Sequence, residues 1–122
     1  MNKKSYNVID LFCGCGGLSL GFEHAGYNLL LGIDMWKDAL ITYEHNHKNG
    51  NTYCADLAKL KAEDVEEKIG HQQVDVIIGG PPCQGFSIAG KRIVDDERNS
   101  LYKSFVRMVA HYLFSKTKET SE

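Results

Sequence analysis

Proline is almost absent from this 122-residue chain: there are two, Pro81 and Pro82, and they are adjacent. Every other segment is therefore free of the break that a fixed φ and a missing N–H impose. Long apolar runs are missing too. No stretch approaches the roughly 18 apolar residues of a membrane span, and the apolar residues between Tyr6 and Asp10 are too few for the core of a signal peptide. A cytoplasmic setting with no membrane partner is expected. Charge of one sign is also lacking, with 14 Lys and Arg against 16 Asp and Glu and a formal net charge of -2. Such a chain has no broad basic field for nucleic acid, so any DNA contact must be local or supplied by another chain.

Cysteine is sparse as well: Cys13, Cys15, Cys54 and Cys83. In a reducing compartment these are expected to be free thiols. Cys13-Gly14-Cys15 has a one-residue spacer where zinc sites use about two to four, and no second ligand pair stands at suitable spacing, so no metal is expected. What the chain has in ordinary measure is apolar residues, 43%, and charged ones, 25%, which excludes a disordered chain and leaves a single folded domain at most.

Strand-like and helix-like patterns alternate along it. Asn7 to Phe12 reads as a short buried strand, followed by a turn rich in glycine, Gly14, Gly16 and Gly17. Leu18, Phe22 and Ala25 then share one helical face, and Gly26 is placed to end the helix. A strand at Leu29 to Ile33 leads to Asp34, and Trp36, Ala39, Leu40 and Tyr43 mark a second helix. Asn46 to Asn51 is turn composition. A weaker strand at Thr52 to Ala55 precedes Asp56, and a charged helix has Val65 and Ile69 as its inner face. Val74 to Ile78 is the fourth strand, apolar at nearly every residue, as in a parallel strand covered on both sides. Leu101, Phe105, Met108, Val109 and Tyr112 mark a last amphipathic helix.

Four such alternations predict an α/β fold, a partial Rossmann-like parallel sheet of about four strands. Strand four would then be an edge, yet it carries no lysine, proline or bulge of the kind that protects one. Either a partner covers it or the chain is a fragment. The polar segment from Lys116 to Glu122 offers no further strand.

The chemistry-bearing residues gather at the carboxyl ends of these strands. The glycine turn Asp10-Leu11-Phe12-Cys13-Gly14-Cys15-Gly16-Gly17 follows a strand and opens a helix, where a parallel sheet binds adenosine-containing ligands. The dinucleotide pattern G-x-G-x-x-G needs a third glycine where Ser19 stands, so the match fails there. Asp34, twenty residues after Gly14, is placed to accept hydrogen bonds from ribose hydroxyls, and Asp56 from an adenine amino group. The plainer reading of both is a helix N-cap. Met35 is suited either to the face of an adenine or to ordinary packing. Cys83 follows the fourth strand directly behind the two prolines, which fix the direction in which the chain leaves the sheet. A thiol so mounted suits a covalent catalyst; otherwise it is a buried structural cysteine.

Two of these stretches carry a resemblance. Asp10-Leu11-Phe12-Cys13-Gly14-Cys15-Gly16-Gly17-Leu18-Ser19-Leu20-Gly21-Phe22 resembles the first motif of the DNA cytosine-5 methyltransferases, and Gly80-Pro81-Pro82-Cys83-Gln84-Gly85-Phe86-Ser87 their catalytic motif. Asp96-Glu97-Arg98-Asn99-Ser100-Leu101 is similar to the family's next cofactor-side motif. The resemblance spans roughly Asn7 to Tyr112 and implies an S-adenosylmethionine site made by Phe12, Gly14, Cys15, Gly17, Asp34, Met35, Asp56, Leu57, Pro82 and Leu101. It also implies that Cys83 adds to C6 of a cytosine flipped out of double-stranded DNA, with methyl transfer to C5, in a restriction-modification system.

Some of the family's pattern is not in this sequence. The Glu-Asn-Val strand, the Arg-x-Arg element and a target-recognition region are missing. Residues 1–113 are thus expected to be the N-terminal part of a catalytic domain, with 114–122 a polar tail. The chain is expected to be inactive alone, either as one half of a split enzyme with a second polypeptide or as a truncated product. A nucleotide-binding Rossmann oxidoreductase is the reading from another class, and Ser19 argues against it. Lys91, Arg92 and Arg98 are candidate phosphate contacts or a solvated loop. His45 and His47 are expected at the surface, and His24, His71 and His111 show no partner pattern.

Overall fold

The computed structural model of the chain describes residues 5–47, 50–80 and 99–120. Their order is β1 (Asn7–Leu11), α1 (Gly17–His24), β2 (Asn28–Asp34), α2 (Lys37–Asn46), β3 (Thr52–Cys54), α3 (Ala62–Lys68), β4 (Val76–Gly79) and α4 (Asn99–Thr120). All strand pairs are parallel, in the order β3-β2-β1-β4. That order is the start of a doubly wound sheet, so the α/β fold read from the sequence holds. The chain divides into two units, Met1–Gly80 with the sheet and α1 to α3, and Pro81–Glu122 with α4.

Burial follows position in the sheet. β1 has a neighbour on each side, and Val8, Ile9 and Leu11 are sealed from water. Leu30, Leu31 and Ile33 of β2 are buried with them, as are Ala39, Leu40 and Tyr43 of α2, Val65 of α3 and the adjacent Ile69. Each of the buried Val, Leu and Ile side chains contributes about 1.5–3 kcal/mol relative to exposure. β4 lies at the edge among the described strands; its Val76 and Ile77 are half-buried and only Ile78 is buried, less than the both-faces cover its composition predicts.

The end of α1 is written in its sequence. Gly26 takes φ 94°, its N–H donates to Glu23 O at 3.0 Å, and Tyr27 N–H donates to Phe22 O at 3.1 Å. This is a Schellman ending, completed by edge-on contact of the Phe22 and Tyr27 rings at 5.1 Å.

The inner face of α1, however, is not the predicted one. Leu18 is 51% exposed and Ala25 is exposed, whereas Ser19 is fully buried. The reason is polar: Ser19 has a buried partner on β1, which the apolar periodicity cannot register. Trp36 is likewise exposed and precedes α2 rather than joining its buried face. In α4, Ser104, Met108 and Tyr112, spaced four apart, are buried, Leu101 and Phe105 are half-buried, and Val109, counted inside from the sequence, is exposed.

Candidate functional site

Parallel strands send their carboxyl ends to one rim, and the register makes these ends level. Leu11 pairs with both Ile33 and Gly79, and Asp34 pairs with Cys54. Phe12, Asp34 and Gly80 therefore leave the sheet at similar heights, with Asp56 two residues beyond Cys54.

Phe12 adopts φ 62°, uncommon for a bulky residue, and turns the chain out of β1 while Cys13 N–H still donates to Ile33 O at 3.0 Å. Gly14 and Gly16 follow with φ 55° and 94°. At Gly16 glycine is obligatory: a Cβ would lie 2.5 Å from His47 Nε2 and 2.6 Å from Tyr43 Cδ2. At Gly14 and Gly17 a Cβ would meet nothing within 4 Å, which leaves the backbone open to a ligand.

Asp34 grips this turn. Its Oδ2 accepts the Gly14 N–H at 2.9 Å and its Oδ1 the Trp36 N–H at 2.9 Å. A carboxylate offers about four acceptor positions, so two remain for a ligand's hydroxyls. Asp56 is exposed and its Oδ1 accepts the nearby Ala58 N–H, at 3.0 Å. Neither aspartate is a helix N-cap: Trp36 and Lys61 hold those positions. Met35 is 63% exposed beside Asp34 and Cys15 is exposed, whereas Leu57 is buried. Leu101 lies in the first turn of α4, in the second unit. Pro82 and Cys83 lie outside the described residues, as do Lys91, Arg92 and Arg98.

Beneath the turn lies a buried polar network that the sequence reading missed. The Ser19 hydroxyl donates to Asp10 Oδ2 at 2.5 Å, and the Tyr43 hydroxyl donates to Ser19 Oγ at 3.0 Å. Asp10 is 1% exposed, and its sheet neighbours, Gly32 and Ile78, have no polar side chain, so Oδ1 has no partner among the described residues. Burial pushes the Asp10 carboxyl up to about 6, against the Ser19 hydrogen bond, which lowers it. Burial also pushes the Tyr43 hydroxyl up to about 12. The Cys13 thiol, packed with Leu40 and Tyr43, is pushed far up by burial and then by the charges of Asp10 and Asp34. It stays protonated at neutral pH and is no nucleophile.

His47 is the clear correction. It is not at the surface but 3% exposed. Its Nδ1 lies 2.7 Å from Glu23 Oε2, its Nε2 lies 3.2 Å from the Gly16 carbonyl, and its ring sits 4.3 Å from that of Tyr43. Turn composition around it hid this, because its partners are polar groups on α1, 24 and 31 residues away. His45 and His24 are exposed; exposed His71 has Nδ1 3.5 Å from Glu66, and His111 packs edge-on to Tyr112. Cys13, Cys15 and Cys54 are free. Among the described residues no three His, Cys, Asp or Glu converge as a metal site, and no helix is long and apolar enough to cross a membrane.

A glycine turn gripped by the acid of the next strand is an arrangement that parallel sheets use for nucleotides. The model of the C-5 cytosine-specific DNA methylases matches residues 6–113. The chain belongs to that family. Type II methyltransferase M1.HphI of Haemophilus parahaemolyticus is 46% identical over 108 residues, which are 86% of this chain and 29% of the relative. M.DdeI of Desulfomicrobium norvegicum is 50% identical over 108 residues, 87% of this chain and 25% of the relative. The chain thus spans between a quarter and three tenths of these two methylases. It spans 79% of M.HgiGI of Herpetosiphon aurantiacus, at 41% identity over 84% of its own length. Among solved structures, a prophage-encoded DNA modification methyltransferase of E. coli superposes with a TM-score of 0.74 at 42% identity, over 86% of this chain and 28% of that one.

Proposed function

We propose that this methylase-family chain carries the S-adenosylmethionine site and the nucleophile of a DNA (cytosine-5)-methyltransferase. Its setting is a cytoplasmic restriction-modification system and its substrate double-stranded DNA. The observation that supports the reading most directly is the Asp34 carboxylate gripping Gly14 N–H beside open space at Gly14 and Gly17. The residues present fit the cofactor. The two remaining acceptor positions of Asp34 suit ribose hydroxyls, exposed Met35 suits the adenine face, and exposed Asp56 suits the adenine amino group. Phe12, Gly14, Cys15 and Gly17 would line the turn with Leu57 near it, and the family resemblance assigns Pro82 and Leu101 to the same cofactor. S-adenosylmethionine supplies the methyl group when bound.

Cytosine C5 is a poor nucleophile, and Cys83 answers that problem. Its thiolate adds to C6 of a cytosine flipped from the duplex, forming a C–S bond and pushing electron density to C5. After C5 is methylated, loss of the C5 proton returns the electron pair that expels the thiolate. Two prolines before Cys83 restrict the approach, as attack needs reacting atoms about 3–3.5 Å apart and aligned. The glutamate that holds the ring, the Arg-x-Arg element and the target-recognition region are not among these 122 residues and would come from further residues, on the same or a second polypeptide. The purified chain alone is then expected to methylate no DNA; sequence-specific methylation by it would contradict this.

Calorimetric titration tests the cofactor reading. The chain should bind S-adenosylmethionine and not NAD. Binding of NAD with no response to S-adenosylmethionine would favour the oxidoreductase instead.

A further inference from the structure

We infer that His47, oriented by Glu23, is a positioning residue for the glycine turn, and that it sets the turn's affinity for the cofactor without touching it. The inference rests on the S-adenosylmethionine reading above. Gly16 is the N-cap of α1, in the left-handed region, with no side-chain cap and no acidic residue in the helix's first turn. Nothing in α1's own first turn therefore supports this end through a side chain. Two distant groups hold the turn instead: Asp34 takes the Gly14 N–H, and His47 Nε2 lies on the Gly16 carbonyl.

These two residues bracket α2, Asp34 ending the strand before it and His47 directly following Asn46. One helix thus carries both grips, and the separation between the ribose acid and the turn is set by its packing. The fit at Gly16 is mutual, since a Cβ there would occupy the space of the His47 ring. The Gly16 carbonyl also accepts the Leu20 N–H at 2.9 Å, so it keeps one partner if His47 is lost. Glu23, 35% exposed and 2.7 Å from Nδ1, fixes the ring plane in which Nε2 faces the carbonyl, as outer partners of functional histidines do. The ring stacks at a tilt on Tyr43, whose hydroxyl reaches Ser19 on α1.

The test uses the full chain with His47→Phe, which keeps an aromatic ring but removes both polar contacts, His47→Gln, which restores a donor, and Glu23→Gln. Two readouts are taken: calorimetry with S-adenosylmethionine, and amide hydrogen exchange of Gly14 to Ser19 without ligand. His47→Phe should raise the dissociation constant about tenfold, the loss of one positioning hydrogen bond, and speed exchange in the turn while Val8 and Ile9 stay protected. His47→Gln should recover most of both, and Glu23→Gln should weaken binding by about threefold. Unchanged turn exchange and unchanged affinity in His47→Phe would overturn the inference. Should His47→Phe fail to fold, Glu23→Gln decides by the same two readouts. Should the wild type not bind S-adenosylmethionine, the cofactor reading fails, and turn exchange alone still shows whether His47 holds Gly16.

Discussion

The turn after β1 is held by residues far away in sequence, and the turn after β3 is held by a neighbour. Gly14 and Gly16 answer to Asp34 and His47, twenty and thirty-one residues on, while Asp56 accepts the Ala58 N–H on its side chain and the Lys59 N–H on its carbonyl, two and three residues on. Both turns stand on the same rim, but one rests on a buried polar network and the other faces solvent. The difference teaches where conformational precision is invested. A backbone that must lie close to a ligand is fixed by buried contacts, whereas an acid that only has to be present can sit in a short, locally bonded turn.

Breaking the first turn should have the largest effect. Gly16→Ala places a methyl group on His47 and Tyr43 at a left-handed φ, and should cost about 4 kcal/mol of stability by overpacking and backbone strain, read from denaturant midpoints. The next effect is a pH dependence. The folded Asp10 carboxyl holds its proton up to about pH 6, against 3.8 for an unperturbed one, so the folded state binds the extra proton between these values. Its contribution to stability is therefore fully present below about pH 4 and is lost as pH rises through 6, by about 3 kcal/mol for a shift of this size. Asp10→Asn should remove that slope from the difference between variant and wild-type denaturation curves; an unchanged slope would assign it elsewhere.

Smaller effects sharpen the contrast. Tyr43→Phe deletes the hydroxyl that donates to Ser19 and should cost about 1 kcal/mol, with a matching drop in the unfolding midpoint. Asp56→Ala should change stability by less than about 0.5 kcal/mol, as at other exposed sites, while weakening S-adenosylmethionine binding about tenfold in calorimetry. An Asp56 variant that unfolds as readily as Gly16→Ala would erase the distinction between the two turns.

The fold was largely legible because its strands are short apolar runs separated by amphipathic stretches, and the end of α1 could be read from Gly26. The rim was legible too, since aspartates and glycines fell at strand ends. What stayed hidden was what lies under the glycine turn. Ser19 reads as a broken dinucleotide pattern, but it stands buried where a third glycine would pack, with its hydroxyl satisfied by Asp10. A carboxylate inside an apolar strand, Val8-Ile9-Asp10-Leu11, was the available signal that a buried partner must exist. His47 gave no such signal, because apolar periodicity cannot see an imidazole whose partners are a carboxylate and a carbonyl on another helix.

The most direct test is thermal unfolding of the chain with and without S-adenosylmethionine, alongside Asp34→Ala. A ligand bound only to the folded state adds about 2.7 kcal/mol at a hundred times its dissociation constant. The wild-type transition should be cooperative and move upward with the ligand, and that of Asp34→Ala should stay in place. An equal upward shift in both, or none in the wild type, would contradict this.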